Sequence, residues 1–236
     1  AAGLDRLELA RNENVRAAGA EALAAAVLAT RSPRTLNLSG EHGDIDTAAF
    51  AWEQQARLEQ VKLSEADFAF TTALLQANER ITIVSMRGVR MTDDAVTRLA
   101  RALTGKSMLI SLALDDNEFG TPGALALAEM VRSARLNELT LAQNTIRDEG
   151  VVAILEAIIA NTAMSLTTLS LRRVGATDGS VQALVRTARA NKTIRSLDLR
   201  SNKFNLASDG VLKQAWVSQR KQGDSLFAGM NLMLTG

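Results

Sequence analysis

Residues 136–158 read LNELTLAQNTIRDEGVVAILEAI, and this stretch decides the fold. Leu139 and Leu141 stand two positions apart, which predicts a short strand with one face directed inward. Asn144 follows three positions later, where its amide can hydrogen-bond backbone groups as the chain turns away from the strand. The second half repeats small or apolar residues at every fourth position: Gly150, Ile154 and Ile158. That spacing predicts a helix with one buried stripe, so the stretch forms a strand, a turn and a helix.

The same unit recurs along the chain. Eight segments follow or approximate the pattern Leu-x-x-Leu-x-Leu, and they begin 23 to 30 residues apart. Their inward positions are Leu4-Leu7-Leu9, Pro33-Leu36-Leu38, Leu58-Val61-Leu63, Ile81-Val84-Met86, Leu109-Leu112-Leu114, Leu136-Leu139-Leu141, Leu166-Leu169-Leu171 and Ile194-Leu197-Leu199. A period of this length indicates a solenoid, because a single unit cannot bury its apolar face alone.

The turn position three residues after each segment differs between the copies. Four copies carry asparagine there: Asn12, Asn117, Asn144 and Asn202. The other four carry Glu41, Ala66, Val89 and Val174. We therefore expect the asparagine ladder to be broken in those repeats, since these side chains lack an amide.

With these segments and turns, the chain resembles the ribonuclease-inhibitor-like subfamily of leucine-rich-repeat proteins. The resemblance covers residues 4 to about 216. It implies an α/β fold, a leucine-rich-repeat solenoid in the form of a horseshoe arc, with a parallel sheet on the concave face and helices on the convex face. Because one fold hosts many functions, the resemblance by itself implies no particular activity.

The repeats predict one domain over residues 1–236. We expect about eight repeats in residues 4–216 and a C-terminal cap in residues 217–236 that contains a last short strand, because an open end would expose the core. The first repeat begins at Leu4 without an initiator Met, so we expect the chain to be a fragment of a longer protein.

The composition excludes several classes of function. The chain has no Cys and one His, so we expect no enzyme activity, no cofactor and no metal centre. It has no long apolar run and no secretory pattern, so we expect a cytoplasmic protein that does not bind membranes. The net charge of +1 is not basic enough to indicate a nucleic-acid partner, so we expect none.

One loop has a composition that metal sites also use. It reads Glu41-His42-Gly43-Asp44-Ile45-Asp46. The loop lacks the remaining oxygen ligands and the bidentate Glu of a calcium loop. We therefore interpret it as a solvated acidic loop.

Four aromatic residues gather between the second and fourth repeats: Phe50, Trp52, Phe68 and Phe70. The usual fate of such side chains is to fill the core, and short convex segments need bulky fillers. The alternative is an exposed aromatic anchor for a partner.

The outward positions of the predicted strands form the concave face. In the third copy these positions are Gln60, Lys62 and Ser64. No aromatic stripe runs across the face, so the predicted anchors for a protein partner are charged: Arg87, Asp115, Glu138, Arg172, Arg173 and Arg200. Alternatively, these charges only keep the sheet soluble.

The net charge is divided unevenly between the two halves of the chain. Residues 1–118 hold 13 Lys and Arg against 17 Asp and Glu, a net charge of −4, whereas residues 119–236 hold 14 against 9, a net charge of +5. Such a polarised molecule can orient a charged partner.

The sequence favours a protein-binding scaffold that uses its concave face. Two alternatives stay open: a regulator of a small GTPase, by analogy with the Ran GTPase-activating proteins, and an actin-capping protein similar to the tropomodulins. The latter is suggested by the segment from Gly150 to Ile158 that is followed by Asn161 and Thr162. The identity of the partner and the oligomeric state are left open by the sequence.

Overall fold

The computed structural model describes residues 5–9, 15–37, 45–218 and 231–234. The strands are β1 Arg6–Glu8, β2 Thr35–Asn37, β3 Ile45–Asp46, β4 Gln55–Glu59, β5 Ile83–Arg87, β6 Ser111–Ala113, β7 Glu138–Thr140, β8 Thr168–Ser170, β9 Ser196–Asp198 and β10 Asn231–Met233. The helices are α1 Ala17–Thr30, α2 Thr47–Ala51, α3 Glu65–Ala77, α4 Asp93–Leu103, α5 Thr121–Val131, α6 Arg147–Ala160, α7 Val181–Ala190 and α8 Leu206–Ser218. A 3-10 turn, Asp178–Ser180, precedes α7.

Strands β4 to β10 form one parallel sheet in chain order, and the helices between them pack against their neighbours. The central leucines of successive strands are paired: Leu112 with Leu139, Leu139 with Leu169, and Leu169 with Leu197. All four are buried between the sheet and the helices. The α/β leucine-rich-repeat solenoid is therefore confirmed, with the sheet on the concave face and the helices on the convex face.

Each repeat from β4 to β9 has a left-handed residue four positions after the central strand residue. These residues have φ between 53° and 62°: Gln60, Gly88, Asp116, Gln143, Arg173 and Ser201. The backbone N–H of each of the first five donates to a carbonyl of the next repeat at 2.8 to 3.0 Å. The left-handed turn thus extends the hydrogen bonding of the sheet beyond the strands, although five of the six positions carry a side chain instead of glycine.

The asparagines of the ladder hydrogen-bond to the repeat that precedes them. Asn117 Nδ2 donates to the carbonyls of Leu114 and of Met86 in the preceding repeat, and its Oδ1 accepts from the N–H groups of Val89 and Met91. Asn202 serves the repeat of Val174 in the same way, because its Oδ1 accepts from Val174 N and Ala176 N. The asparagine of the following repeat thus satisfies the N–H groups at Val89 and Val174, but these two valines have no side-chain amide with which to reach back to the repeats before them. The ladder is therefore interrupted at these two positions.

The predicted third segment, Leu58-Val61-Leu63, is displaced by five residues. Strand β4 spans Gln55–Glu59, and Ala56 pairs with Val84 while Leu58 pairs with Met86. Helix α3 begins at Glu65 because Ser64 and Asp67 form a reciprocal capping box, which leaves no room for a strand at 60–62. The outward positions are therefore Gln55, Arg57 and Glu59, and the earlier assignment of Gln60, Lys62 and Ser64 is wrong. Ala66 lies inside α3 and is not a turn residue.

The N-terminal part departs from a continuous parallel sheet. Strands β1 and β2 are parallel, but β3 is antiparallel to β2, and these three strands form a sheet separate from β4 to β10. Helix α2 has five residues, and Asp46 caps it by accepting from the N–H groups of Ala48 and Ala49. The core-filling interpretation of the aromatic residues holds: Phe50, Phe68 and Phe70 are buried, and Trp52 is half-buried against the core.

Three sequence predictions fall wholly or partly outside the described residues. Asn12 and Glu41 are not described, and of the acidic loop the structure describes Ile45 and Asp46. Strand β10 pairs in parallel with β9, while the function of residues 217–236 as a cap stays a prediction. Within the described ranges, none of the helices has both the length and the apolar character that crossing a bilayer requires.

Candidate functional site

The concave face is built from the outward residues of β4 to β9. The central column of this face reads Arg57, Ser85, Ala113, Thr140, Ser170 and Asp198. Small side chains dominate the column, and all but Arg57 and Ser170 are buried by their neighbours. The column is therefore a shallow floor. Charged side chains at the outward positions on either side of this column project beyond it.

Arg87 and Asp115 are brought together on adjacent strands. Arg87 Nε lies 3.0 Å from Asp115 Oδ2, a contact with ion-pair distance but without hydrogen-bond geometry. Asp115 also accepts from Thr140 Oγ1 at 2.7 Å and from the N–H of Ala142 at 2.7 Å. Both carboxylate oxygens of Asp115 therefore accept hydrogen bonds, and its side chain is 19% exposed. Asp115 is held against the neighbouring repeat and in turn positions Arg87.

Glu138 lies on the other side of the floor. Its Oε2 accepts from Ser111 Oγ at 2.9 Å, which holds the carboxylate over the strand before it. Together with Arg57 and Arg87 it lines a hollow of about 280 Å³ whose base contains Ser85 and Ser111. The hollow presents two cations and one anion within a single concave surface.

Arg200 is tied to Asp198 within the same repeat. Nε and Nη2 of Arg200 donate to Oδ1 and Oδ2 of Asp198 at 3.0 and 2.7 Å, and the Arg200 N–H also donates to Oδ1. Burial raises the pKa of Asp198, but the hydrogen bonds and charge of Arg200, with the charge of Arg172, outweigh it, so the pKa lies below its ordinary value. Arg200 is thus largely committed to the fold.

Arg172 and Arg173 are exposed next to this pair. They stand on consecutive positions, so Arg172 lies on the concave side while Arg173, in the left-handed turn, lies on the loop edge of the sheet. The six predicted residues therefore separate into one group around β5 to β7 and another at the ends of β8 and β9.

Three charged residues that line the hollow or a cleft at the loop edge were not predicted from the sequence. Arg57 was missed because the register of β4 was displaced. Arg147 and Lys203 were missed because they lie outside the strands, Arg147 at the start of α6 and Lys203 between β9 and α8. An alignment of the repeats would have found these two residues, because it shows which positions after each strand carry a charge.

Carboxylates also link successive repeats on the helix side. Asp93 Oδ1 accepts from the N–H groups of Gly120 and Gly123 at 2.8 Å, at the start of the next helix. Asp178 accepts from Asn205 N and from Ser208 Oγ, and these hydrogen bonds, led by that of Ser208, lower its pKa. These residues are structural, because each supplies an acceptor to backbone or side-chain donors of the following repeat.

The repeat geometry agrees with a comparison of sequences. A family model described as "Leucine Rich repeat" matches residues 105–128, 134–155 and 190–210. These matches coincide with the units of β6, β7 and β9 and the helices that follow them. The chain therefore contains leucine-rich repeats, and repeats of this kind imply a protein-interaction module.

Two relatives carry the name "Capping protein, Arp2/3 and myosin-I linker protein 3". The protein from Rattus norvegicus is 28% identical over 175 residues, and that from Homo sapiens is 27% identical over 175 residues; each match covers 70% of this chain and 13% of the relative. The human "NACHT, LRR and PYD domains-containing protein 5" is 29% identical over 136 residues, which are 53% of this chain and 11% of that protein. The chain thus matches a small part of the length of these relatives.

Among solved structures, the chain is similar to "Leiomodin-1 Actin-Binding Site 2 (ABS2)". The TM-score is 0.43 and the sequence identity 22%, and the match covers 55% of this chain and 77% of that chain.

Proposed function

We propose that the chain binds a protein partner across its concave face and that it acts as a scaffold without catalysing a reaction. The observation that carries the proposal is the pair of charge groups held on neighbouring strands, with Arg57, Arg87 and Glu138 around one hollow and Arg172 and Arg200 beyond it. Affinity in such an interface comes from a few well-positioned anchors, and rigid strands lower the entropic cost of ordering them.

The roles of the predicted anchors follow from their contacts. Arg172 is exposed, and Glu138 and Arg87 are partly exposed. Asp115 and Arg200 hold their neighbours in place and would contribute to binding mainly by shaping the surface. Arg173 lies at the border of the concave face. The cytoplasmic setting predicted from the sequence stays a prediction.

The test is affinity capture of interacting proteins with matched variants. The concave variant carries Glu138→Ala and Arg172→Ala, and the control carries Glu129→Ala and Arg101→Ala, which remove the same residue types from exposed positions on helices. A partner that binds the wild type and the control but loses at least about tenfold in affinity to the concave variant supports the proposal. Equal binding by both variants refutes it.

A second candidate function is the regulation of actin assembly. It is favoured by the two relatives whose name contains "Capping protein, Arp2/3 and myosin-I linker". Direct binding assays with purified capping protein, Arp2/3 complex, myosin-I and actin filaments test it. If the wild type binds one of these proteins and the concave variant does not, the result supports both proposals, that is, regulation of actin assembly through the concave face. The GTPase-regulating alternative stays a prediction that a GTP hydrolysis assay can test.

A further inference from the structure

A cleft of about 690 Å³ lies on the loop edge of the solenoid, where the turns after β7, β8 and β9 stand side by side. We call it the edge cleft. It is lined by Asn144, Thr145, Arg147, Asp148, Arg173, Val174, Gly175, Thr177, Ser201 and Lys203. Its volume falls in the range of sites that hold a small ligand or a few side chains of a partner.

The edge cleft is basic. Arg147, Arg173 and Lys203 are exposed, and none of them forms an ion pair within the described ranges of the chain. Asp148 is the single acidic residue of the lining, and its oxygens accept from the N–H of Thr177 at 2.7 Å and from Thr177 Oγ1. Asp148 is therefore committed to the neighbouring repeat, and three cations face the cleft.

The three cations are anchored by their backbones. The N–H of Arg147 donates to Val174 O at 2.9 Å, that of Arg173 donates to Arg200 O at 3.0 Å, and that of Lys203 donates to Ala176 O at 2.8 Å. Arg147 and Arg173 are left-handed, with φ of 60° and 53°. Their Cα positions are thus set by the neighbouring repeat before any ligand arrives, which is preorganisation.

The same edge is neutralised in the preceding repeats. Arg90, which occupies the position that Lys203 has in the last repeat, faces Glu118 at 3.8 Å. The position of Glu118 is taken in the next repeat by Thr145, which lines the edge cleft. The carboxylate that pairs with the edge cation at β5 is therefore replaced by a neutral side chain in the edge cleft.

We propose that the edge cleft docks an acidic segment of a partner protein. Two guanidinium groups offer bidentate hydrogen bonds to carboxylates, and the Lys203 ammonium adds a point charge beside them. The segment provides the carboxylates that the repeat sequence omits at this edge. The inference rests on the proposed function in one respect, that the chain binds proteins, and it assigns a second surface distinct from the concave floor.

The experiment measures fluorescence anisotropy of a fluorescein-labelled 12-residue peptide of alternating Glu and Ala with the whole chain. The cleft variant carries Arg147→Gln, Arg173→Gln and Lys203→Gln. The matched control carries Arg101→Gln, Arg135→Gln and Arg189→Gln, which removes the same charge from exposed positions outside the cleft. We expect the cleft variant to bind at least about tenfold more weakly than the wild type, the control to change by less than about twofold, and added salt to weaken the wild type.

Three results would overturn the inference: no binding of the peptide to the wild type, equal losses in the cleft variant and the control, or a stronger cleft-dependent binding of phosphatidylserine vesicles or single-stranded DNA than of the peptide. Should the triple variant melt below the assay temperature, Arg173→Gln and Lys203→Gln are measured singly, and each is expected to weaken binding about threefold. The concave variant, Glu138→Ala with Arg172→Ala, is expected to retain the peptide within about twofold. Loss of concave binding and loss of peptide binding can thus be told apart.

Discussion

The repeats from β5 to β9 and the segment from β1 to β4 use similar residues, but they pack differently. In the later repeats the central strand residues are Val84, Leu112, Leu139, Leu169 and Leu197, all buried and paired in parallel register. In the earlier segment the equivalent positions include a half-buried Leu7 and the small Ala56, and an antiparallel strand interrupts the sheet. A repeat is thus regular where each strand places a large, buried side chain at its central position.

The largest effect is expected from truncating the core of a regular repeat. Leu139→Ala removes a fully buried side chain from the middle of the sheet, and we expect the free energy of unfolding to fall by about 3 kcal/mol. Leu7→Ala, at the equivalent position of β1, should cost about 1 kcal/mol because Leu7 is half-buried. Urea denaturation measures both, and equal losses would contradict the distinction between the two regions.

The next effect concerns the asparagine that serves two repeats. Asn117→Ala leaves the N–H groups of Val89 and Met91 without their acceptor and removes a donor to Met86 O, so we expect a loss of about 2 kcal/mol. Asn137→Ala, at an exposed position before β7, is the control and should change stability by less than about 0.5 kcal/mol. If Asn117→Ala behaved like the control, the backward reach of the asparagine would have no energetic importance.

A pair of glycines compares the tightness of the two regions directly. A Cβ at Gly123 would meet Val96 Cγ1 at 2.4 Å and Asp93 Oδ1 at 2.8 Å, so Gly123→Ala should destabilise the protein by about 2 kcal/mol. A Cβ at Gly19 in α1 would meet Val15 Cγ1 at 3.7 Å, an ordinary contact, so Gly19→Ala should stabilise by about 0.5 kcal/mol through helix propensity. Melting temperatures that shift in opposite directions confirm the contrast; a destabilised Gly19→Ala would show that α1 is as tightly packed as α5.

The smallest effect is a pH dependence specific to the last repeats. The pKa of Asp198 and that of Asp178 lie below the ordinary value of 3.8, so the ionised forms stabilise the fold. This contribution is fully present above the unfolded pKa and is lost as the pH falls through the lower folded pKa. Denaturation between pH 6 and pH 2.5 should therefore show a steeper loss for the wild type than for Asp198→Asn. Parallel curves would exclude a stabilising role for the Asp198–Arg200 pair.

The sequence predicted the later repeats well and the earlier segment poorly. The spacing of Leu112, Leu139, Leu169 and Leu197 was sufficient because large side chains at fixed intervals leave one register that buries them all. At β4 the pattern misled, since Leu58 and Leu63 are both apolar while the true central position is Ala56, which a search for leucines passes over. The capping box of Ser64 and Asp67 was the available sign that a helix begins there.

The candidate site was predicted in part. The strand alternation located Arg87, Glu138 and Arg172 on the concave side, because side chains alternate across a strand whatever lies beside it. It could not show that Asp115 and Arg200 are already hydrogen-bonded within the protein. Asp115 accepts from Thr140 and Ala142, which are 25 and 27 residues away. Arg200 donates to Asp198, and this contact depends on the conformations of both side chains. The edge cleft was missed for the same reason, as it exists only where three turns lie side by side.

The sequence by itself determined the repeat length, the inward leucines, the aliphatic core and the division of charge between the two halves, because these are properties of residue type and spacing along one chain. Only the tertiary structure decided three further features. These are the register of β4, the hydrogen bonds of Asn117 and Asn202 to the preceding repeat, and which charges are neutralised at the loop edge. Those features depend on distances between residues about 27 positions apart, and such distances are fixed only when neighbouring repeats stack.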